Sequence, residues 1–310
     1  MTLRCCLLGG NGFIGSHLAP LITASGRELT VVGRKTAPAR NLPEGARYVC
    51  GDFGDEQLMR RLVSRADELV DLAYATVPQT SFVDPVFDIQ ANLPRGVSML
   101  RAAAEAGLRR VVLISSGGTV YGAAQSLPIT EEHTTNPISP YGITKLTIEK
   151  YALMFHHLHG LPVVIVRPGN AFGPGQASEA GQGFVATAIA RVLASREVTI
   201  YGKEGTVRDY VHVADLARGI LSALEHGEPG CCYNIGSGVG RSNLDVMKII
   251  EPLASGRGLR VDLRIGEPRP FDVPANILDS AKLRALSGWQ PAIPFEAGIA
   301  GTWTFLARAR

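Results

Sequence analysis

The sequence predicts an α/β chain whose first half is a doubly wound parallel sheet. Three observations carry the prediction. Apolar runs short enough for strands (Leu3 to Leu8, Glu28 to Val32, Arg47 to Cys50, Leu69 to Ala73, Arg110 to Ile114) alternate with stretches of helical pattern. The first run passes through a cluster of glycines directly into a helical pattern, as a strand–turn–helix unit does. At 310 residues, 45% apolar and 19% charged, the chain can bury a large core in one domain or two unequal ones. A net charge of +3, from 31 basic and 28 acidic residues with no long like-charge run, argues against a nucleic-acid binder. No apolar run approaches the ~18 residues of a membrane helix. Met1-Thr2-Leu3-Arg4 enters the first strand without a signal-peptide pattern, so no membrane association and a cytoplasmic location are expected.

Taken in order, the first turn is Gly9-Gly10-Asn11-Gly12-Phe13-Ile14-Gly15, and Ser16 to Ile22 begins the helical pattern. Gly9-x-x-Gly12-x-x-Gly15 is one residue wider than the usual Rossmann spacing but serves the same end. It makes a tight turn and lets a pyrophosphate approach the helix N-terminus, so Gly9, Gly12, Phe13, Ile14 and Gly15 are candidate dinucleotide contacts. The second strand ends in Gly33-Arg34-Lys35, where NAD enzymes usually place an acid for the ribose hydroxyls. The missing carboxylate, with Arg34 and Lys35 beside it, suits the 2′-phosphate of NADP. NADP(H) is therefore expected, with NAD(H) as the alternative. Asp52 closes the third strand, placed to meet the adenine with Phe53, and Leu72 and Ala73 end the fourth. Asp84-Pro85 opens a helix to Ala106, which Pro94 should kink or interrupt. Cys5, Cys6, Cys50, Cys231 and Cys232 show no metal-ligand spacing and read as small buried hydrophobes. His156, His157 and His159 read as helix-terminal residues.

Ser139-Pro140-Tyr141-Gly142-Ile143-Thr144-Lys145 holds a tyrosine and a lysine four residues apart. On a helix both side chains share one face. A neighbouring ammonium favours the phenolate, and a phenol so tuned exchanges a proton with a sugar hydroxyl or ketone.

Ser115-Ser116-Gly117-Gly118-Thr119-Val120-Tyr121-Gly122, together with the glycine turn, Asn92 and Tyr141 to Lys145, resembles the extended short-chain dehydrogenase/reductases that modify nucleotide sugars. The resemblance covers essentially the whole chain. It implies a Rossmann domain over residues 1–168, with a returning strand near 231–236, and a smaller mixed α/β nucleotide-sugar lobe over 169–310. It implies that Tyr141 moves the proton and that Lys145 holds the nicotinamide ribose. Asn92, Ser115 and Pro168 would border the cofactor. In the family a Ser or Thr after the fifth strand assists the tyrosine. That position here is Gly117, a departure for which Thr119, with Ser116 behind it, is the substitute. Asn170 matches the family's sugar-nucleotide contact. Arg208, in Arg208-Asp209-Tyr210-Val211-His212, and Arg269, in Pro268-Arg269-Pro270-Phe271-Asp272-Val273-Pro274, match its diphosphate ligands, and Asp272 its ribose or sugar contact.

The implied substrate is a nucleoside-diphosphate sugar reacting at C4. A 4-keto-(6-deoxy)hexose 4-reductase, favoured by Gly33-Arg34, stands narrowly ahead of a 4-epimerase with tightly bound cofactor. A 4,6-dehydratase needs an acid–base pair where Gly118 and Thr119 stand. A non-catalytic cofactor-binding protein is the remote alternative, supported by Gly117 and opposed by Tyr141 and Lys145. A homodimer, paired through the Tyr141–Lys145 helix and the helix containing Pro94, is expected by analogy alone.

Overall fold

A computed structural model describes residues 2–178, 183–203, 205–269 and 272–308. Its first half alternates strand and helix: β1 (Arg4–Leu8), α1 (Phe13–Ala24), β2 (Glu28–Gly33), β3 (Arg47–Cys50), α2 (Glu56–Val63), β4 (Glu68–Asp71), α3 (Pro78–Val83), α4 (Pro85–Glu105), β5 (Arg110–Ile114), α5 (Pro140–His159) and β6 (Val163–Pro168). Then come β7 (Asn170–Phe172), α6 (Phe184–Leu193), β8 (Val198–Tyr201), β9 (Val207–His212), α7 (Val213–His226) and β10 (Cys232–Ile235). The chain closes with β11 (Gly240–Ser242), α8 (Asn243–Ser255), β12 (Leu263–Gly266), β13 (Ala275–Asn276), α9 (Ala281–Ser287) and α10 (Phe295–Arg308).

Seven strands form one parallel sheet in the order β10-β6-β5-β4-β1-β2-β3. The return of β10 to the edge beside β6 is the strand expected near 231–236. Strand periodicity sorts the side chains into two cores. Cys5, Leu7, Val31, Val112 and Val164 pack with α1 and α7 on one face. Cys6, Leu8, Val32, Val111, Leu113 and Ile165 pack with α2, α4 and α5 on the other. The order in which successive strands are added reverses between β1 and β4, so the crevice above their carboxyl ends is where a ligand sits in such sheets.

Two helices position the chemistry. Ser139 caps α5 by accepting from the Gly142 N–H at 3.1 Å, Pro140 fits its first turn, and Gly160 in the left-handed region ends it. Asp84 caps α4 through the Phe87 N–H, and α4 then runs 21 residues straight through Pro94. The expected interruption does not occur. Ala91, Gly96, Met99, Leu100 and Ala103 are buried along this helix, and their packing outweighs the one hydrogen bond that Pro94 forgoes. The cysteines also divide. Cys5 and Cys6 are buried, whereas Cys50, at the edge strand β3, is exposed and Cys231 and Cys232 are half-buried.

Beyond β6, a mixed sheet of β11, β9 and β13, with β7 added beside β9, and a two-stranded sheet of β8 and β12 make the second layer. A separate core of Val185, Ile189, Ile200, Tyr210, Val246, Ile250, Ile299 and Trp303 joins α6, α8 and α10 to β8 and β9. Among the described residues no helix is long and apolar enough to cross a membrane.

Candidate active site

The crevice floor is the glycine turn after β1. Gly9 has φ +73°, and a Cβ there would lie 3.1 Å from the Leu72 carbonyl carbon, so the turn presses against the end of β4. A Cβ on Gly15 would lie 2.4 Å from the Gly10 Cα, so only glycine lets α1 start this close to the turn. Gly12 is the N-cap of α1 and supplies no side-chain cap, leaving the first helical N–H groups facing the crevice. Gly9, Gly12, Phe13, Ile14, Gly15, Leu72 and Ser115 line it. An uncapped helix terminus behind a side-chain-free turn fits a dinucleotide pyrophosphate. Ser115 adds a buried hydroxyl with no hydrogen-bond partner among the described residues.

At the adenosine end the wall carries Gly33, Arg34, Lys35, Phe53, Ala73 and Asn92. Tyr48 explains Gly33. Its hydroxyl donates to the Lys35 carbonyl at 2.8 Å and lies 2.7 Å from where a Gly33 Cβ would be. A carboxylate cannot stand at this position unless Tyr48 moves. Asp52 departs from its expected place: it accepts from the Gly54 N–H at 2.7 Å, pairs with Arg95 at 3.4 Å and stays off the cavity wall, where Phe53 stands instead. The strand ends at Cys50, and the turn after it points Asp52 outward. Asn92 reaches the wall with its amide already engaged. Its oxygen accepts from the Ala75 N–H at 2.8 Å, and its nitrogen donates to the Asp88 carbonyl at 2.8 Å and to Thr76 Oγ1 at 3.1 Å.

Tyr141 and Lys145 share the inner face of α5 and line the cleft, each about 8% exposed. Lys145 Nζ donates to the Ile114 carbonyl at 2.8 Å and lies 3.9 Å from the Tyr74 ring centre, against 5.8 Å from that of Tyr141. Tyr74 meets Tyr141 edge to face at 4.9 Å. Burial pushes Lys145 down to about 8, opposed by Asp71, Glu149 and Asp88. The Tyr141 phenol moves up from its ordinary value, first through burial and then through Asp88, where the four-residue spacing had predicted a fall. The ammonium is turned toward Tyr74 and Ile114, so burial prevails. Asp71, at the end of β4, is raised to about 6 by burial, with Lys145 and the Ala73 N–H pulling it back.

Gly117 faces away from the cleft. A Cβ there would meet Leu278 Cδ1 at 2.6 Å and the Arg167 carbonyl at 2.9 Å, so no hydroxyl fits. Thr119 lies on the cleft wall with its Oγ1 shielded and without a hydrogen-bond partner among the described residues, and Ser116 also lines the cleft. Gly142 brings α5 and the Thr119 segment together, since a Cβ on it would sit 2.9 Å from the Thr119 carbonyl.

The outer cleft carries Pro168, Asn170, Arg208, Arg269 and Asp272. Arg208 Nη1 donates to the Val207 and Val273 carbonyls at 2.9 and 2.7 Å, which fixes its guanidinium in the wall. Arg269 and Asp272, expected to act separately, pair with each other, Nε to Oδ2 at 2.7 Å, and Arg269 also lies over the Tyr201 ring at 4.3 Å. Between them Pro270 and Phe271, part of the same expected element, lie outside the described residues.

Residues 5–236 match the model of the NAD dependent epimerase/dehydratase family. The chain belongs to this family. It is thus an enzyme of the extended short-chain dehydrogenase/reductase type. It is 33% identical over 312 residues to the UDP-glucose 4-epimerase of Mycolicibacterium smegmatis, covering 98% of each chain. It is 30% identical over 317 residues to a dTDP-glucose 4,6-dehydratase of Actinoplanes, covering 97% of this chain and 96% of that one. Its fold superposes on the UDP-glucose 4-epimerase of Thermus thermophilus in complex with NAD at a TM-score of 0.91, with 33% identity, 99% of this chain and 100% of that one.

For a member of this family, sequence reasoning missed the residues that shape the site from behind. Tyr74, Asp71, Tyr48 and Asp88 belong to no motif spacing. Asp71 and Tyr74 flank Leu72 and Ala73 at the carboxyl end of a strand, and that position was the available signal.

Proposed function

We propose that this enzyme is a nucleoside-diphosphate-hexose 4-epimerase working with a nicotinamide dinucleotide. One observation carries the choice of reaction. Among the described residues lining the cleft that holds Tyr141 and Thr119, the sole carboxylate is Asp272, bound to Arg269. A 4,6-dehydration needs an acid and a base beside the sugar, whereas 4-epimerisation needs one proton-transfer group at O4. The epimerase relatives support the same reading. The 4-reductase that the sequence put first gives way, because it rested on a preference for NADP and the Thermus relative holds NAD.

In this reading the glycine turn and the α1 terminus hold the pyrophosphate, and Lys145 and Ser115 hold the nicotinamide end. When bound, the nicotinamide supplies hydride acceptance and return at C4. Tyr141 takes the proton from O4 as C4 is oxidised and gives it back on reduction. The Thr119 hydroxyl, otherwise unsatisfied, completes the contact to the same oxygen, with Ser116 nearby. The sugar must present both faces, so the grip falls on the diphosphate, through Arg208 and Arg269, with Asn170 and Asp272 on the nucleotide-sugar hydroxyls. NAD is the proposed cofactor. NADP is the second reading, favoured by the absence of an acid at Gly33 and by Arg34 and Lys35 on the wall.

We also propose that residues 1–168 with β10 act as the cofactor lobe and 169–310 as the substrate lobe. A homodimer is proposed through α4 and α5, whose outer faces expose Phe87, Ile143, Met154 and Leu158, and sedimentation equilibrium tests it. The function is tested by offering UDP-glucose with NAD. Appearance of UDP-galactose supports the reading. A 4-keto-6-deoxy product would replace it with dehydration, and NADPH consumption on a 4-keto sugar without UDP-glucose turnover would restore the reductase.

A further inference from the structure

Behind the cleft lies a titratable group that the mechanism above does not use. Asp88, in the first turn of α4, is 0% exposed and has no salt-bridge partner among the described residues. A buried carboxylate without a cation is costly unless donors surround it. Here Thr144 Oγ1 donates to Oδ2 at 2.6 Å, Thr76 Oγ1 donates to Oδ1, and Asn92 Nδ2 stands 3.5 Å from the same oxygen. These donors come from the reaction centre's own supports. Thr144 directly precedes Lys145 on α5, and Thr76 follows Tyr74 by two residues. The Tyr74 hydroxyl, shielded from solvent, makes no hydrogen bond of ordinary geometry among the described residues.

We infer that Asp88 is a positioning residue: its buried carboxylate, fastened to Thr144 and Thr76, holds Lys145, Tyr74 and Tyr141 in register from behind the cleft. The inference rests on the proposed roles of Tyr141 and Lys145.

Three carboxylates face Lys145 and favour its charged form, Asp71 first, then Glu149 and Asp88. Asp71 faces it from the end of β4, on the cofactor side. Glu149 faces it from α5 but is bound by Arg167 of β6, Nη2 to Oε2 at 2.6 Å, so much of its charge is compensated. Tyr74 and Tyr141 are neutral neighbours. Asp88, on α4, is the negative group on this inner side that no cation compensates. It raises Lys145, Tyr141 and Tyr74 alike, the signature of one negative charge acting on three neighbours.

The test is Asp88→Asn, which keeps the shape and an acceptor for Thr144 while removing the charge. Competitive labelling of Lys145 with acetic anhydride, read by peptide mass spectrometry across pH, follows its protonation without any substrate. The Lys145 midpoint should fall below that of the wild type by roughly a few tenths of a pH unit. Both limbs of the kcat/KM profile should shift toward acid pH, because losing a negative charge lowers every neighbouring pKa. A folded Asp88→Asn protein with an unmoved midpoint would overturn the inference, even if its turnover fell. Should that variant not fold, Thr144→Val cuts the link to α5 and should move the midpoint in the same direction by less, and no movement there is equally fatal. Wild-type protein that leaves UDP-glucose unchanged would remove the proposed function while the labelling result still judged Asp88.

Discussion

Replacing Lys145 by methionine should make the ligand-free protein more stable at neutral pH while abolishing turnover. The side chain is buried, and its folded value of about 8 lies well below the ordinary 10.5. A folded pKa below the unfolded one contributes stability that is present above the unfolded value and lost as pH falls through the folded one. At pH 7 the loss is nearly complete, about 3 kcal/mol at 1.36 kcal/mol per pH unit. Methionine fills a similar space and removes that penalty. It forgoes the hydrogen bond to the Ile114 carbonyl, about 1 kcal/mol, and exchanges the ammonium–Tyr74 contact for a sulfur–aromatic one. Asp71, deprived of the neighbouring cation, keeps its proton to higher pH and offsets a little more. The net gain is about 1–2 kcal/mol, a rise in Tm of about 2 °C for a chain of this length. Thermal and urea unfolding of both proteins across pH provide the assay. Between pH 7 and 9.5 the wild type recovers about 2 kcal/mol as Lys145 loses its proton, so the advantage of the variant should vanish. A variant less stable than wild type at pH 7, or an advantage that does not change with pH, would refute the reasoning.

Tyr141→Phe should bind the dinucleotide as wild type does and lose about 10²–10⁴-fold in kcat, measured by cofactor fluorescence titration and an epimerase assay. Restoring a hydroxyl at the family position by Gly117→Ser should not raise activity. Its Cβ would collide with Leu278 and the Arg167 carbonyl, costing about 1–3 kcal/mol in urea denaturation. Thr119→Val should lower kcat about tenfold or more with little change in KM, and an unchanged kcat would hand its role to Ser116. Gly33→Asp combined with Tyr48→Phe makes room for a ribose-binding acid and should shift the ratio of NAD to NADP affinity about tenfold or more toward NAD, whereas Gly33→Asp alone should destabilise the β2–β3 edge.

Local rules carried much of this protein, and where they stopped is physically specific. The parallel sheet and the glycine turn were legible, and the return of a strand near 231–236 followed from the family resemblance. The sheet and the turn depend on side-chain period or backbone freedom within a few residues. The pairing of Tyr141 with Lys145 on one face was legible for the same reason, but its electrostatic consequence was not. Burial on all sides and the turn of Lys145 toward Tyr74 decided the sign of the phenol's shift, and both come from elements far away in sequence. Of the kink or interruption expected at Pro94, the interruption does not occur, because a local penalty was weighed without the packing that α4 gains along its length. Asp52 was misplaced because one residue of turn geometry decides whether a side chain faces the cavity. By itself, then, the sequence determined the architecture and the placing of Tyr141 and Lys145 on one helix face. The tertiary structure alone decided that Gly117 has no room for a hydroxyl, that the Tyr48 hydroxyl stands where a Gly33 side chain would begin, and that Asp88 is fastened behind α5, because these are contacts between segments that meet only when the sheet closes.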